Sequence, residues 1–173
     1  MRAAIYTLGC KVNQYETQAM EQELRARGHQ VVEFSDEADA YVVNTCSVTA
    51  VSDQKSRQVL HRARRQHPGA VLAVCGCYPQ THAEDVRQLD VDLIAGTGDR
   101  SGFIGLLEQA VTEKRHLEAI DRSFERRVFE VLPAGGMENR TRAMLKVEDG
   151  CVNFCTYCII PYARGPVRSL PLA

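Results

Sequence analysis

No window of the sequence approaches the roughly 18 consecutive apolar residues of a membrane-crossing helix, so no transmembrane span and no membrane partner are expected. The opening residues, MRAAIYTLGC, lack the basic start and apolar run of a secretory signal, which makes the cytoplasm the expected location. There is no internal repeat and no low-complexity tract, which argues against solenoids and arrays. Net charge is nearly absent as well, with 21 Lys and Arg against 22 Asp and Glu. The charges are unevenly placed: Lys55, Arg57, Arg62, Arg64 and Arg65 crowd one segment, and Arg122, Arg126, Arg127, Arg140 and Arg142 another. Local basic patches of this kind, not overall charge, would carry any affinity for nucleic acid, although such runs are as often only a solvated helix face.

One further absence bears on chemistry. Three cysteines, Cys151, Cys155 and Cys158, fall within eight residues, and neither a fourth cysteine nor a histidine follows them. The chain has seven cysteines, an odd number, and disulfides do not persist in a reducing compartment. Clustered thiols there point to metal binding or redox chemistry. Structural zinc takes four closed ligands, and the last histidine, His116, lies far upstream. The compact C-x3-C-x2-C spacing, one ligand short of closure, fits an iron–sulfur cluster better.

With 45% apolar residues in 173, the chain has enough hydrophobic material for a core. Residues 3–8, 30–34, 40–45 and 70–74 are rich in Val, Ile and Tyr and bounded by Gly or polar clusters, and they read as strands. Segments of helical period separate them. The first is expected to start at Asn13, capped with the help of Glu16, and to end at Gly28. Others are expected over 52–66, 83–89 and 100–114. Alternation of this kind predicts an α/β fold, a Rossmann-like parallel sheet flanked by helices, over 1–115. A Pro, Gly and Asn-rich stretch suggests a linker over 116–140, after which Ala143, Leu145 and Val147 line one face of a strand at 142–148.

Cys10, Cys46 and Cys77 each follow a predicted strand, at the sheet edge where ligands of open parallel sheets bind. Either they share a site, or they are unrelated half-buried thiols. Cys75 lies on the strand itself and reads as core.

The loop signature resembles that of the radical SAM superfamily, in which an iron without a protein ligand chelates S-adenosylmethionine. Tyr157 stands in the aromatic slot that this resemblance places near the adenine. TLGCKVNQYET, VVNTCSVTAVSDQKSRQ, VCGCYPQ and FCTYCIIPYARGPVRS together resemble the radical SAM methylthiotransferase family, and GCKVNQYE is similar to its branch acting on threonylcarbamoyladenosine in tRNA. The resemblance implies two 4Fe-4S clusters, one on Cys151, Cys155 and Cys158 and an auxiliary one on Cys10, Cys46 and Cys77. It also implies S-adenosylmethionine, a tRNA substrate modified at the adenosine beside the anticodon, and an electron donor such as flavodoxin or ferredoxin. Cys75 matches no ligand of the family.

Arg164 and Arg168, just behind the loop, are candidates for site electrostatics, facing either substrate or an acidic side chain. A radical SAM barrel takes about 200 residues or more. Residues 141–173 therefore read as its truncated start, a first strand and cluster loop expected to pack poorly without their neighbours. A fragment inactive by itself is the resulting expectation. The alternatives are the branches acting on isopentenyladenosine in tRNA or on a ribosomal-protein aspartate, and a non-catalytic iron–sulfur or zinc module.

Overall fold

Six strands, β1 (Arg2–Thr7), β2 (Gln30–Val32), β3 (Ala40–Thr45), β4 (Val71–Gly76), β5 (Leu93–Ala95) and β6 (Leu117–Ala119), form one sheet in the order β2-β1-β3-β4-β5-β6. Every pairing is parallel. The computed structural model describes residues 1–132 and 144–171. Between the strands run α1 (Lys11–Ala26), α2 (Ala50–Gln66), α3 (Cys77–Thr81), α4 (Ala83–Arg87) and α5 (Arg100–Glu113).

The period of two along the strands divides the core into two layers. Ala3, Val42, Ala73, Cys75, Leu93 and Ala95 face Met20 and Leu24 of α1 and Phe103, Ile104 and Leu107 of α5. Their alternates, Ala4, Tyr41, Val43, Leu72, Val74 and Ile94, face Val59, Leu60 and Ala63 of α2, with Tyr78 and Val86. All residues of β3 and β4 are buried, as expected of central strands covered on both sides. Each large aliphatic side chain so buried contributes about 1.5–3 kcal/mol. Cys75, 0% exposed, lies in the first of these layers, in agreement with its reading as core.

The Rossmann-like sheet is as predicted, with three differences besides α3, a short helix outside the expected spans. First, β5 and β6 add two three-residue strands, and β6 falls in the stretch expected to be linker. Second, α1 starts at Lys11, and Asn13 and Glu16 are not a cap but buried residues of the helix. Third, α2 starts at Ala50, where the Thr49 hydroxyl accepts the Ser52 N–H at 3.2 Å.

The expected boundary near residue 140, Arg140, Arg142 and Ala143 lie outside the described residues. In place of the strand at 142–148 there is a short antiparallel pair, β7 (Glu148–Asp149) with β8 (Arg168–Ser169). Leu145 and Val147 are exposed, because no described residue covers the face they share. Between β7 and β8 lie the cysteine loop and α6 (Ile160–Arg164). This segment is packed against the sheet domain: Ser123 Oγ donates to the Tyr162 carbonyl at 2.7 Å, and Thr97 Oγ1 donates to that of Ala163.

Candidate functional site

The chain leaves β1, crosses by α1 to β2 at the sheet edge, and returns to β3 on the other side of β1. α1 and α2 therefore cover opposite faces, and the chain leaves β1 and β3 toward opposite sides of the sheet. Divergence of this kind opens a crevice at the carboxyl ends of the strands, the topological switch point. Cys10 follows β1, Cys46 follows β3, and Cys77 follows β4, three adjacent strands at that edge.

Close packing brings the loops together. Gly9 lies so near Cys46 that a methyl at its Cα would stand 2.6 Å from Cys46 Cβ and 2.9 Å from its Sγ. The Asn13 amide nitrogen donates to the carbonyls of Leu8 at 2.9 Å and Thr45 at 2.8 Å, which ties the ends of β1 and β3. Its oxygen accepts from Cys10 Sγ at 3.7 Å. The Asn44 amide nitrogen donates to the Asn13 carbonyl and to Thr17 Oγ1, each at 3.1 Å. Cys46 and Cys77 are buried, whereas Cys10 is exposed.

Under this edge lies a buried ionic network that the sequence reading did not find. Glu16, fully buried, accepts from Arg164 at 2.7 Å, from Lys146 at 3.1 Å and from Arg100 at 3.3 Å. Asp149 pairs with Lys146 at 2.7 Å, Arg164 at 3.1 Å and Arg168 at 3.4 Å. Arg164 also donates to Asn13 Oδ1 at 2.9 Å. The partners of Arg164 and Arg168 are thus acidic side chains of the chain itself. Burial disfavours the charged form of Glu16, but Arg164, Arg100 and Lys146 overcome it and hold the carboxyl far below its usual range. Asp149 is likewise lowered, against its burial, by Arg164 and Lys146.

Four cations stand against two carboxylates in this network, and all six side chains are at most 9% exposed. Two buried positive charges remain. Such a surplus is costly unless an anionic group faces it. Two of the four cations, Arg100 and Arg164, act on buried thiols. Burial pushes Cys77 up to about 11, Arg164 pulls in the opposite direction, and Cys46 and Cys10 add to the upward push. Cys75 is also pushed to about 11 by burial, with Arg100 opposing.

A group bound through thiolates brings negative charge, so the donor set and its surroundings fit an iron–sulfur cluster. Among the described residues no three His, Cys, Asp or Glu side chains are gathered to hold a single metal ion. The thiolates of a four-iron cluster bind separate irons and need no common point.

The second set lies on an open loop. Cys155 is exposed, Cys151 and Cys158 are half-buried, and Tyr157 is 89% exposed. Its base is held at two places. The Cys151 N–H donates to the Gly165 carbonyl at 3.0 Å, and Phe154 joins Phe124 and Tyr162 in an aromatic group with centroids 5.8–6.1 Å apart.

A second surface feature is a groove of about 850 Å³ that includes Tyr6, Leu8, Lys55, Arg62, Arg65 and Leu89. Arg64, also at its wall, is taken up by Asp92 at 2.5 Å and Asp90 at 3.3 Å. Arg57 donates to the Tyr78 hydroxyl at 2.9 Å. Only part of the predicted basic face is therefore available to a partner.

With this geometry in place, the family described as Uncharacterized protein family UPF0004 matches residues 2–96, more than half of the chain. The chain belongs to that family. The UPF0004 match ends at β5 and includes Cys10, Cys46, Cys75 and Cys77, but not the Cys151–Cys158 loop. Relatives extend further. A Bacillus subtilis protein named threonylcarbamoyladenosine tRNA methylthiotransferase MtaB is 46% identical over 96% of this chain and 37% of its own length. Its Aquifex aeolicus namesake is 37% identical over 99% of this chain and 42% of its own length. A Pelotomaculum thermopropionicum protein named tRNA-2-methylthio-N(6)-dimethylallyladenosine synthase is 33% identical over 95% of this chain and 38% of its own length. The UPF0004 chain thus spans about two fifths of the length of these relatives.

Proposed function

We propose that this chain is the amino-terminal part of a cytoplasmic radical SAM enzyme that adds a methylthio group to C2 of N6-threonylcarbamoyladenosine beside the anticodon of tRNA. The observation that carries this reading is the 46% identity, across 96% of the chain, to a protein named for that reaction. Four relatives named for the dimethylallyl substrate match at 31–33%. The GCKVNQYE form of the first cysteine segment supports the same choice.

In this reading Cys10, Cys46 and Cys77 hold an auxiliary 4Fe-4S cluster, and Cys151, Cys155 and Cys158 hold the one that binds S-adenosylmethionine. When bound, the two clusters and S-adenosylmethionine supply the radical and the sulfur, with electrons from a donor such as flavodoxin or ferredoxin. The residues of the chain do the rest. Gly9 and Gly76 let the backbone pass close to Cys46 and Thr45. Asn13 fixes the two loops, and the buried Arg164 and Arg100 would offset the negative charge of bound thiolates. Tyr157 presents an exposed ring on which an adenine can stack.

Anaerobic reconstitution with iron and sulfide tests the ligand sets. About eight irons per chain are expected, falling to about four when Cys151, Cys155 and Cys158 are all changed to Ala. Zinc uptake, or no change on that substitution, would defeat the assignment. For the substrate, nucleoside mass spectrometry of tRNA from a strain lacking the gene is expected to show threonylcarbamoyladenosine without its methylthio group. Retention of that group would sink the proposal.

The groove with Lys55, Arg62 and Arg65 suits a tRNA phosphate backbone, which is bound through charge and without regard to sequence. Changing all three to Gln in the full-length enzyme is expected to weaken tRNA binding and to reduce the slope of log affinity against log salt by about 2–3. An unaltered slope would show that these side chains are only solvated.

A further inference from the structure

The two cysteine sets are distant in sequence, yet the segment bearing the second contributes three of the four cations beneath the first. Lys146, Arg164 and Arg168 come from that segment, and only Arg100 belongs to the sheet domain. We propose that Arg164 is a positioning residue of the Cys10, Cys46 and Cys77 site. Its guanidinium holds Asn13, which ties the ends of β1 and β3, and sets a buried positive charge beneath the site, so the reduction potential of a cluster held there depends on the docking of residues 144–170.

The geometry leaves Arg164 little freedom. It is 3% exposed and bonds Glu16 Oε1 at 2.7 Å, Asp149 Oδ1 at 3.1 Å and Asn13 Oδ1 at 2.9 Å. Asn13 in turn holds the carbonyls of Leu8 and Thr45 and accepts from Cys10 Sγ. One side chain thus reaches both strand ends through one amide. α6, which carries Arg164, is anchored independently by the Ser123 and Thr97 hydroxyls.

Its charge has a direct consequence. Taking up one electron makes a thiolate-held cluster more negative, and a fixed buried cation stabilises that state more than the oxidised one. Net charge and hydrogen bonding are among the determinants of cluster potentials. Arg164 meets the site directly, through its 2.9 Å bond to the Asn13 oxygen.

The inference rests on the reading that Cys10, Cys46 and Cys77 hold a cluster, and the test separates the two. In the 173-residue chain with Cys151, Cys155 and Cys158 changed to Ala, iron and sulfide content reports whether the site loads. Titration with dithionite, followed by electron paramagnetic resonance, reports its potential. Arg164→Gln, which removes the charge but keeps an amide donor for Asn13, is expected to load iron and shift the potential to more negative values. Arg164→Lys is expected to restore most of the shift.

Should Arg164→Gln fail to fold, Glu16→Gln with Arg164→Gln removes the ion pair as a unit. Its potential is still expected to fall, because Arg164 bonds Asn13 at the ends of β1 and β3, whereas Glu16 is bonded to the cations. An unchanged potential in a loaded neutral variant, or a drop in Arg164→Lys equal to that in Arg164→Gln, would overturn the inference. Failure of the parent itself to take up iron would remove the underlying reading and the inference with it.

Discussion

Replacing Glu16 by Ala is expected to destabilise the metal-free chain by about 3–5 kcal/mol, the typical cost of breaking a buried ion pair from one side. The substitution removes the carboxylate shared by Arg100, Lys146 and Arg164 and leaves four buried cations with Asp149 alone. For a chain of this size the loss corresponds to a fall in Tm of about 6–20 °C. Thermal denaturation of parent and variant measures it. Glu16→Gln, which keeps the shape and one acceptor, is expected to cost less. A loss under about 1 kcal/mol for the Ala variant would show that the network is not a major source of stability.

The same network predicts an acid dependence with a definite sign. Glu16 and Asp149 are held below their ordinary values of 4.5 and 3.8, despite burial, by Arg164 and the other cations. A carboxyl depressed in the folded state contributes fully above its unfolded value and loses that contribution as pH falls through the folded one. Stability should therefore decline progressively as pH falls below about 4.5, the ordinary value for Glu16. The decline should be shallower in Glu16→Gln.

Gly76→Ala is the second large effect. Gly76 sits between Cys75 in the core and Cys77 at the site with φ +102°, a conformation that side chains rarely adopt. A methyl there would stand 2.4 Å from the Thr45 carbonyl oxygen and 2.9 Å from the Thr45 nitrogen, both backbone atoms of the paired strand. Backbone strain costs about 1–3 kcal/mol and overpacking a similar amount, which places the total at about 2–6 kcal/mol. The turn that aims Cys77 would be lost, so iron uptake is expected to fall by about four per chain while the Cys151–Cys158 loop still loads. Gly69→Ala, where a methyl meets nothing within 4 Å, is the control and should be close to neutral. Parent-like stability and iron content in Gly76→Ala would refute the prediction.

The long elements were legible because their patterns are local. The four strands read from Val, Ile and Tyr runs are in the sheet, and α5 covers the expected span. β5 and β6 escaped because three residues carry no readable period, and only pairing with β4 and with each other makes them strands. The misread cap shows the same limit. Asn13 and Glu16 have the spacing of a capping box, and composition alone cannot reveal that Thr45, Arg100 and Arg164 wait on the other side of the helix. Tertiary partners won over a local motif whose own worth is about 1 kcal/mol.

The cysteine spacing and the strand-end positions of Cys10, Cys46 and Cys77 were determined by the sequence, because a strand–helix repeat returns each loop to the same sheet edge. The placement of β1 beside β3, which puts Cys10 and Cys46 across the switch point, was decided by the sheet order. So was the joining of the two halves of the chain through Glu16 and Arg164. Those residues are 148 apart in sequence, and complementary charges so far apart have no local signature. They find each other only when burial makes every other partner unavailable.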